Sequence, residues 1–155
     1  MVDVVSRATR SRMMAGIRGA NTRPELLIRH GLYARGFRYR LHAKHLPGRP
    51  DLVLPHWGSA IFIHGCFWHR HGDDCPLFKW PSTRTAWWRE KLDGNHERDA
   101  RKRRELIDDG WWVLTLWECA LKGPTRRPID QLLDRIEQWL RHERRHLELR
   151  GRRVT

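Results

Sequence analysis

The residues of this chain best suited to chemistry lie in one run, Ile61-Phe62-Ile63-His64-Gly65-Cys66-Phe67-Trp68-His69-Arg70-His71. An apolar start gives way to three histidines, a thiol and two large aromatic rings, a mixture for which a protein core has little use. Imidazole and thiolate ligate metals, a neutral imidazole accepts protons near working pH, and flat aromatic rings stack on bases. A carboxylate comes shortly before, Asp51 in Pro47-Gly48-Arg49-Pro50-Asp51-Leu52-Val53-Leu54. It suits Mg²⁺, a hard cation that takes oxygen ligands and keeps several waters. A third set is Cys66-x4-His71-x3-Cys75, the close-spaced nitrogen and sulfur ligation that zinc prefers. The chain has 3 cysteines in all, and the remaining one, Cys119, would complete a Cys3His structural site.

Such groups have to be positioned by a sheet. Ile61 to Ile63 reads as a buried strand ended by Gly65, Asp51 to Leu54 as its partner, and Pro55 to Ser59 as the turn between them. Antiparallel pairing with Pro55 opposite Ala60 puts Asp51 opposite His64, on one face at the open end of the hairpin. Trp112 to Trp117 reads as a further strand, which delivers Cys119 to the same end if it lies beside the hairpin.

Thr22-Arg23-Pro24-Glu25 is a helix start, with Thr22 as N-cap and Glu25 as its capping-box partner. That helix shows Leu26, Leu27, Leu32 and Tyr33 on its apolar side and stops at Gly36, after which Phe37 to Leu41 alternates as a half-exposed strand. Residues 83–109 hold a basic helix, open to interruption at Gly94, on which Leu92, Asn95, His96 and Asp99 can share a face. Asp99 there either pairs with Arg98 or Arg103 or orients an active-site histidine. From Ile129, the residues Leu132, Leu133, Ile136, Trp139 and Leu140 mark an amphipathic helix. The order helix, three strands, helix, strand, helix implies an α/β domain around a mixed central sheet. We expect a basic arm over residues 1–21, one domain over 22–142 and a frayed basic tail over 143–155.

The whole chain has 155 residues, enough for one domain with its own core. Its 31 Lys and Arg against 18 Asp and Glu, a net of +13, favour a polyanionic partner, nucleic acid before an anionic membrane. No long apolar run or lipidation signal supports the membrane reading. An odd number of thiols with no secretory leader points to metal rather than disulfides, and to a reducing, cytoplasmic compartment. In the arm, Met13, Met14 and Ile17 either dock on the core or let the arm fold onto nucleic acid with a methionine against a base step. Taken together, the basic charge, a carboxylate for Mg²⁺ and the histidine cluster point to phosphodiester hydrolysis.

The runs Ala8-Thr9-Arg10-Ser11, Leu46 to Asp51, Ile61 to His69, Arg98-Asp99, Gly110-Trp111 and Trp117-Glu118-Cys119-Ala120-Leu121 closely resemble the very-short-patch repair (Vsr) mismatch endonucleases. The resemblance spans roughly residues 6–140. It implies a restriction-endonuclease-like, PD-(D/E)XK-type fold with a structural Zn²⁺. The implied partner is double-stranded DNA bearing a T·G mismatch, nicked 5′ to the T by a bacterial, nucleoid-associated monomer that needs Mg²⁺ and has a possible mismatch-repair protein partner. Matched by motif, Asp51 with the main-chain carbonyl of Ile63 holds Mg²⁺, His69 is the general base oriented by Asp99, His64 is a second catalytic imidazole, and Glu25 is an acidic residue near the site. Cys66, His71, Cys75 and Cys119 match the zinc ligands; Phe67 and Trp68 match the aromatics that wedge into the duplex, and Met14 the residue entering from the other groove. Phe62-Ile63-His64 lacks the Asp/Glu-x-Lys of restriction nucleases, a departure the Vsr family shares. Gly72-Asp73-Asp74 makes the loop before Cys75 longer than the family spacing. Two other readings use the same residues: a zinc-stabilised, non-catalytic binder of distorted DNA, and a related nicking or restriction endonuclease without mismatch specificity.

Overall fold

The computed structural model describes residues 22–153. Met14 and the arm over residues 1–21 lie outside them. Helix α1 (Arg23–Ala34) begins where the sequence predicts, with Thr22 Oγ1 accepting from Glu25 N at 3.4 Å. Only half of the capping box forms, because the Glu25 side chain turns inward to His42 and Arg29 instead of back to Thr22. Three strands follow, β1 (Arg40–Leu41), β2 (Leu52–Leu54) and β3 (Ser59–His64). The long helix α2 (Thr85–Asp108) passes through Gly94 without interruption. Strand β4 (Trp112–Trp117), helix α3 (Ile129–His142) and strand β5 (Leu147–Leu149) complete the described chain.

The sheet is mixed and runs in the order β1-β2-β3-β4-β5, antiparallel as far as β3 and parallel from β3 to β5. Alternation along the strands sorts two layers. Ile61, Leu114 and Leu116 join Ile28 and Leu32 of α1 and Leu132, Ile136 and Trp139 of α3 in the larger core. Phe62 and Val113 point the other way and meet Leu106 of α2. The same parity sends His64, two residues past Phe62, to the α2 side, where β4 pairs it with Trp117. Helices α1 and α3 approach so closely that a Cβ on Gly31 would meet Leu133 Cδ1 at 2.4 Å.

Two expectations need correction. The hairpin register is displaced by two residues, since Leu52 rather than Leu54 meets Ile61. Pro55 to Trp57 form a single 3-10 turn closed by Gly58 in the left-handed region, φ 60°, so the connection begins at Pro55 as read but ends one residue earlier, with Ser59 already paired opposite Leu54. Pro55 has no N–H to give to a ladder. Asp51 is therefore not opposite His64. The second correction concerns the tail over 143–155, expected to fray: Leu147 to Leu149 pair parallel to Leu114 to Leu116 as an edge strand.

Candidate active site and metal centre

The chain leaving β3 makes one compact turn that serves two sites. His69 N donates to Gly65 O at 3.2 Å and His71 N to Cys66 O at 2.9 Å, with Arg70 left-handed at φ 46°. This is the closure that ends many helices, here wrapped around a single turn. Cys66 N donates to Glu118 Oε1 at 3.2 Å, which ties the start of the turn to the segment after β4. The result aims His69 toward α2 on one side and Cys66 and His71 toward Cys119 on the other.

Helix α2 receives the turn along the face read from the sequence. Asn95 Nδ2 donates to Trp68 O at 3.0 Å, His96 Nδ1 meets His69 O at 3.4 Å, and Asp99 Oδ2 lies 2.5 Å from His69 Nδ1. Of the two roles open to Asp99, the structure selects contact with the histidine. The ring of His64 stacks on that of His69, centroids 3.8 Å apart and planes within 3°. Burial first, then the neighbouring imidazoles, holds His64 well below the usual histidine range, so it is neutral at pH 7. The structure thus brings His64, His69 and Asp99 into one cluster.

Asp51 belongs to a second cluster, with Glu25 and His42; one donor atom of each lies within 4.8 Å of the other two. The Asp51 carboxylate touches β3 through Oδ2, which accepts from Ile63 N at 2.6 Å. Burial pushes its pKa up to about 7, against the pull of that hydrogen bond. Two carboxylates set this close in a buried place create a demand for positive charge, and an oxygen-rich donor set fits a hard divalent cation. His42 was not singled out in the sequence, where it is one histidine following an ordinary alternating strand.

Both clusters line one groove of about 1210 Å³, whose walls include Arg23, Lys44, Arg49, Lys91, Arg98 and Lys122. Phe67 and Trp68 also line it. Their rings lie edge to face, 5.3 Å apart, and both touch Trp88 of α2, at 5.4 and 5.9 Å. Trp88 was not singled out in the sequence. Its adjacency to Phe67 depends on a fold that no local spacing encodes.

On the far side of the turn, ligand atoms of Cys66, His71, Cys75 and Cys119 all lie within 4.8 Å of one another. His71 Nδ1 is 3.5 Å from both Cys66 Sγ and Cys119 Sγ. A single nitrogen shared by two sulfurs suits a common cation better than one hydrogen bond. The thiols share a proton unequally: hydrogen bonding from Cys66, with help from His71 and Gly151 N, draws Cys119 below the usual thiol range, and the same contact with Cys119 drives Cys66 up. His71 stacks on Trp117 at 3.9 Å. The tail is part of this centre. Trp117 Nε1 donates to Glu148 Oε1 at 2.7 Å, Arg150 bonds Asp74 beside Cys75 at 3.0 Å, and Gly151 N donates to Cys119 Sγ at 3.3 Å.

Residues 2–76 match the family model described as DNA mismatch endonuclease Vsr. The chain is 44% identical to the DNA mismatch endonuclease Vsr of Escherichia coli K12 over 140 residues, covering 90% of this chain and 88% of that protein. It is 43% identical to the type II nicking enzyme V.XorIIP of Xanthomonas oryzae pv. oryzae, covering 86% and 98% respectively. Against the type II nicking enzyme V.NmeAIP of Neisseria meningitidis serogroup A the identity is 38%, covering 88% and 98%.

Proposed function

The chain belongs to the Vsr DNA mismatch endonuclease family, and from that premise we propose that it nicks one strand of duplex DNA 5′ to the T of a T·G mismatch, hydrolysing the phosphodiester with Mg²⁺. Membership gives the reaction class, a DNA endonuclease. The observation that carries the rest is the His69–Asp99 contact at 2.5 Å, stacked on neutral His64 and facing the groove that Asp51 lines.

Each residue then has a task. Asp99 holds the proton on His69 Nδ1, which leaves Nε2 as the lone pair that removes a proton from the attacking water. His64, kept neutral, fixes the plane of His69 by stacking and adds no charge that would oppose protonation. Asp51, with the carbonyl of Ile63, and Glu25 beside it would hold Mg²⁺, which when bound polarises the phosphate and offsets the charge that develops in the transition state. The basic walls hold the flanking phosphates. Phe67 and Trp68, with Met14 from the opposite side, wedge beside the mismatch, where weak stacking lowers the cost of opening a step. Cys66, His71, Cys75 and Cys119 hold Zn²⁺ as a structural ion, because a set of four protein ligands leaves no open position for chemistry. The mixed sheet with Asp51 at the head of β2 supports placing the domain among restriction-endonuclease-like folds.

The names of two relatives, type II nicking enzymes, support a second reading: a strand-nicking endonuclease with another preference. Asp51→Asn tests the catalytic assignment common to both. The variant is expected to bind mismatched duplex with wild-type affinity in a gel-shift assay and to cut none of it with Mg²⁺. Retained cutting would remove Asp51 from the cation site.

A further inference from the structure

The groove contains one more residue, His42, that the reaction outlined above does not use. His42 follows β1 with a left-handed backbone, φ 48°, which is uncommon for a residue with a Cβ. Its own N–H donates to Asp51 O at 3.0 Å, so this conformation is clamped directly against the residue assigned to the cation. The conformation swings the ring inward, and Nε2 comes to 2.8 Å from Glu25 Oε2. A carboxylate only accepts, so the ring donates from Nε2.

Arg29 NH1 donates to that same Oε2 at 3.0 Å. Two donors, one from α1 and one from the β1–β2 connection, therefore fix a single oxygen of Glu25, whose side chain is 2% exposed. Among the described residues no hydrogen bond takes Oε1. Glu25 and His42 nonetheless line the same groove as Asp51 and share a cluster with it. A carboxylate held at one oxygen from two directions has lost its freedom to rotate, and its other oxygen is presented in a set orientation.

We propose that His42 is a positioning residue of the cation site: by bonding Glu25 Oε2 it presents Oε1 alongside the Asp51 carboxylate as a second oxygen donor to the divalent ion. The inference rests on the cation reading of Asp51 given under the proposed function. The histidine adds no bond to the cation itself. It acts as partners of metal ligands do elsewhere, by orienting the ligand before the ion arrives.

The test is a titration of Mn²⁺, a paramagnetic stand-in for Mg²⁺, followed by electron paramagnetic resonance on protein whose cysteine centre is already loaded with Zn²⁺. Wild type, Asp51→Asn, His42→Asn and His42→Gln are compared. Asparagine tolerates the left-handed backbone, so His42→Asn is expected to fold, yet its amide is too short to reach Glu25. Glutamine restores the reach and the N–H donor. Asp51→Asn is expected to abolish binding at the groove. His42→Asn is expected to weaken Mn²⁺ binding and to raise the Mg²⁺ requirement for nicking, each by about tenfold, as loss of such partners does. His42→Gln is expected to return both to within about threefold of wild type, which a merely structural role for the ring would not produce. Equal Mn²⁺ affinity in wild type and His42→Asn, with dependence on Asp51 intact, would overturn the inference alone. Absence of any Asp51-dependent binding in wild type would overturn the cation reading and this inference with it.

Discussion

At the scale of single residues, the site is governed by what burial does to Asp51. In the metal-free protein its carboxyl, pushed up to about 7, is protonated below that pH, whereas in the unfolded chain it ionises near 4. Between roughly pH 4 and pH 7 the folded state therefore holds a proton that the unfolded state has released. Stability of the metal-free protein falls as pH rises through that window, by at most a few kcal/mol, and stays low above it. A cation must displace the same proton. Mg²⁺ affinity is accordingly expected to rise with pH up to about 7, by close to tenfold per unit, and then level off. Calorimetric titration between pH 5.5 and 8.5 checks this, and a flat affinity across that range would contradict it. Asp51 was read in the sequence as a carboxylate at a strand start near the histidines beyond Gly65, and the structure brings it into one groove with His64 and His69 although not through the pairing expected. Glu25 was half legible, because Thr22-x-x-Glu25 supplies a complete local explanation that conceals an inward-turned side chain. His42 was not legible at all. Its role depends on a backbone conformation and on a partner 17 residues away in sequence.

Among the elements, the short turn from Gly65 to His71 and the edge strand β5 hold the two sites together. Gly151, just past β5, lies where a Cβ would meet Thr125 Oγ1 at 2.3 Å and Cys119 O at 2.5 Å, the second of these a backbone atom. The close approach is what lets Gly151 N reach Cys119 Sγ. Gly151→Ala is expected to lift the tail from the cysteine centre. The cost is about 1–3 kcal/mol, as overpacking of a tight site gives, seen as a melting point lowered by roughly 3–10 °C. Zn²⁺ should also pass faster to a chromophoric chelator than from wild type. Unchanged melting and unchanged release would show that the tail plays no part in holding the metal. Strands β2, β3 and β4 could be read locally, since each is a dense apolar run. β5 could not: Leu147 and Leu149 flank Glu148 among arginines and histidines, and its reason to pair is the exposed edge of β4. The hairpin register failed for a related reason, because only the structure shows how many residues the turn at Pro55 consumes.

At the scale of the whole molecule, a net charge of +13 and a groove walled by Arg23, Lys44, Arg49, Lys91, Arg98 and Lys122 make the protein a ready partner for a polyanion. Among the described residues no helix is long and apolar enough to cross a membrane. Duplex affinity is expected to fall linearly with the logarithm of salt concentration, with a slope that becomes shallower by about one for each phosphate-contacting cation removed, as in Lys122→Ala. Fluorescence anisotropy over a range of NaCl measures that slope, and a salt-independent affinity would contradict the assignment of the basic walls. The composition announced this preference from the start, but composition has no direction. Only the sheet order and the face of α2 show that the cations, the aromatic rings and both carboxylate clusters open into one groove.

On the proposed reading, this groove converts a T·G mismatch into a single nick. The most direct measurement is scission of a duplex, each strand labelled in turn, carrying one T·G mismatch in varied flanking sequences, with Mg²⁺ or with EDTA, beside the same duplexes fully paired. One Mg²⁺-dependent cut, on the T strand and 5′ to the mismatched T, absent from paired DNA, is the result expected. Equal cutting of paired and mismatched duplexes would contradict mismatch specificity, and tight binding without a cut in any flanking sequence would contradict catalysis itself.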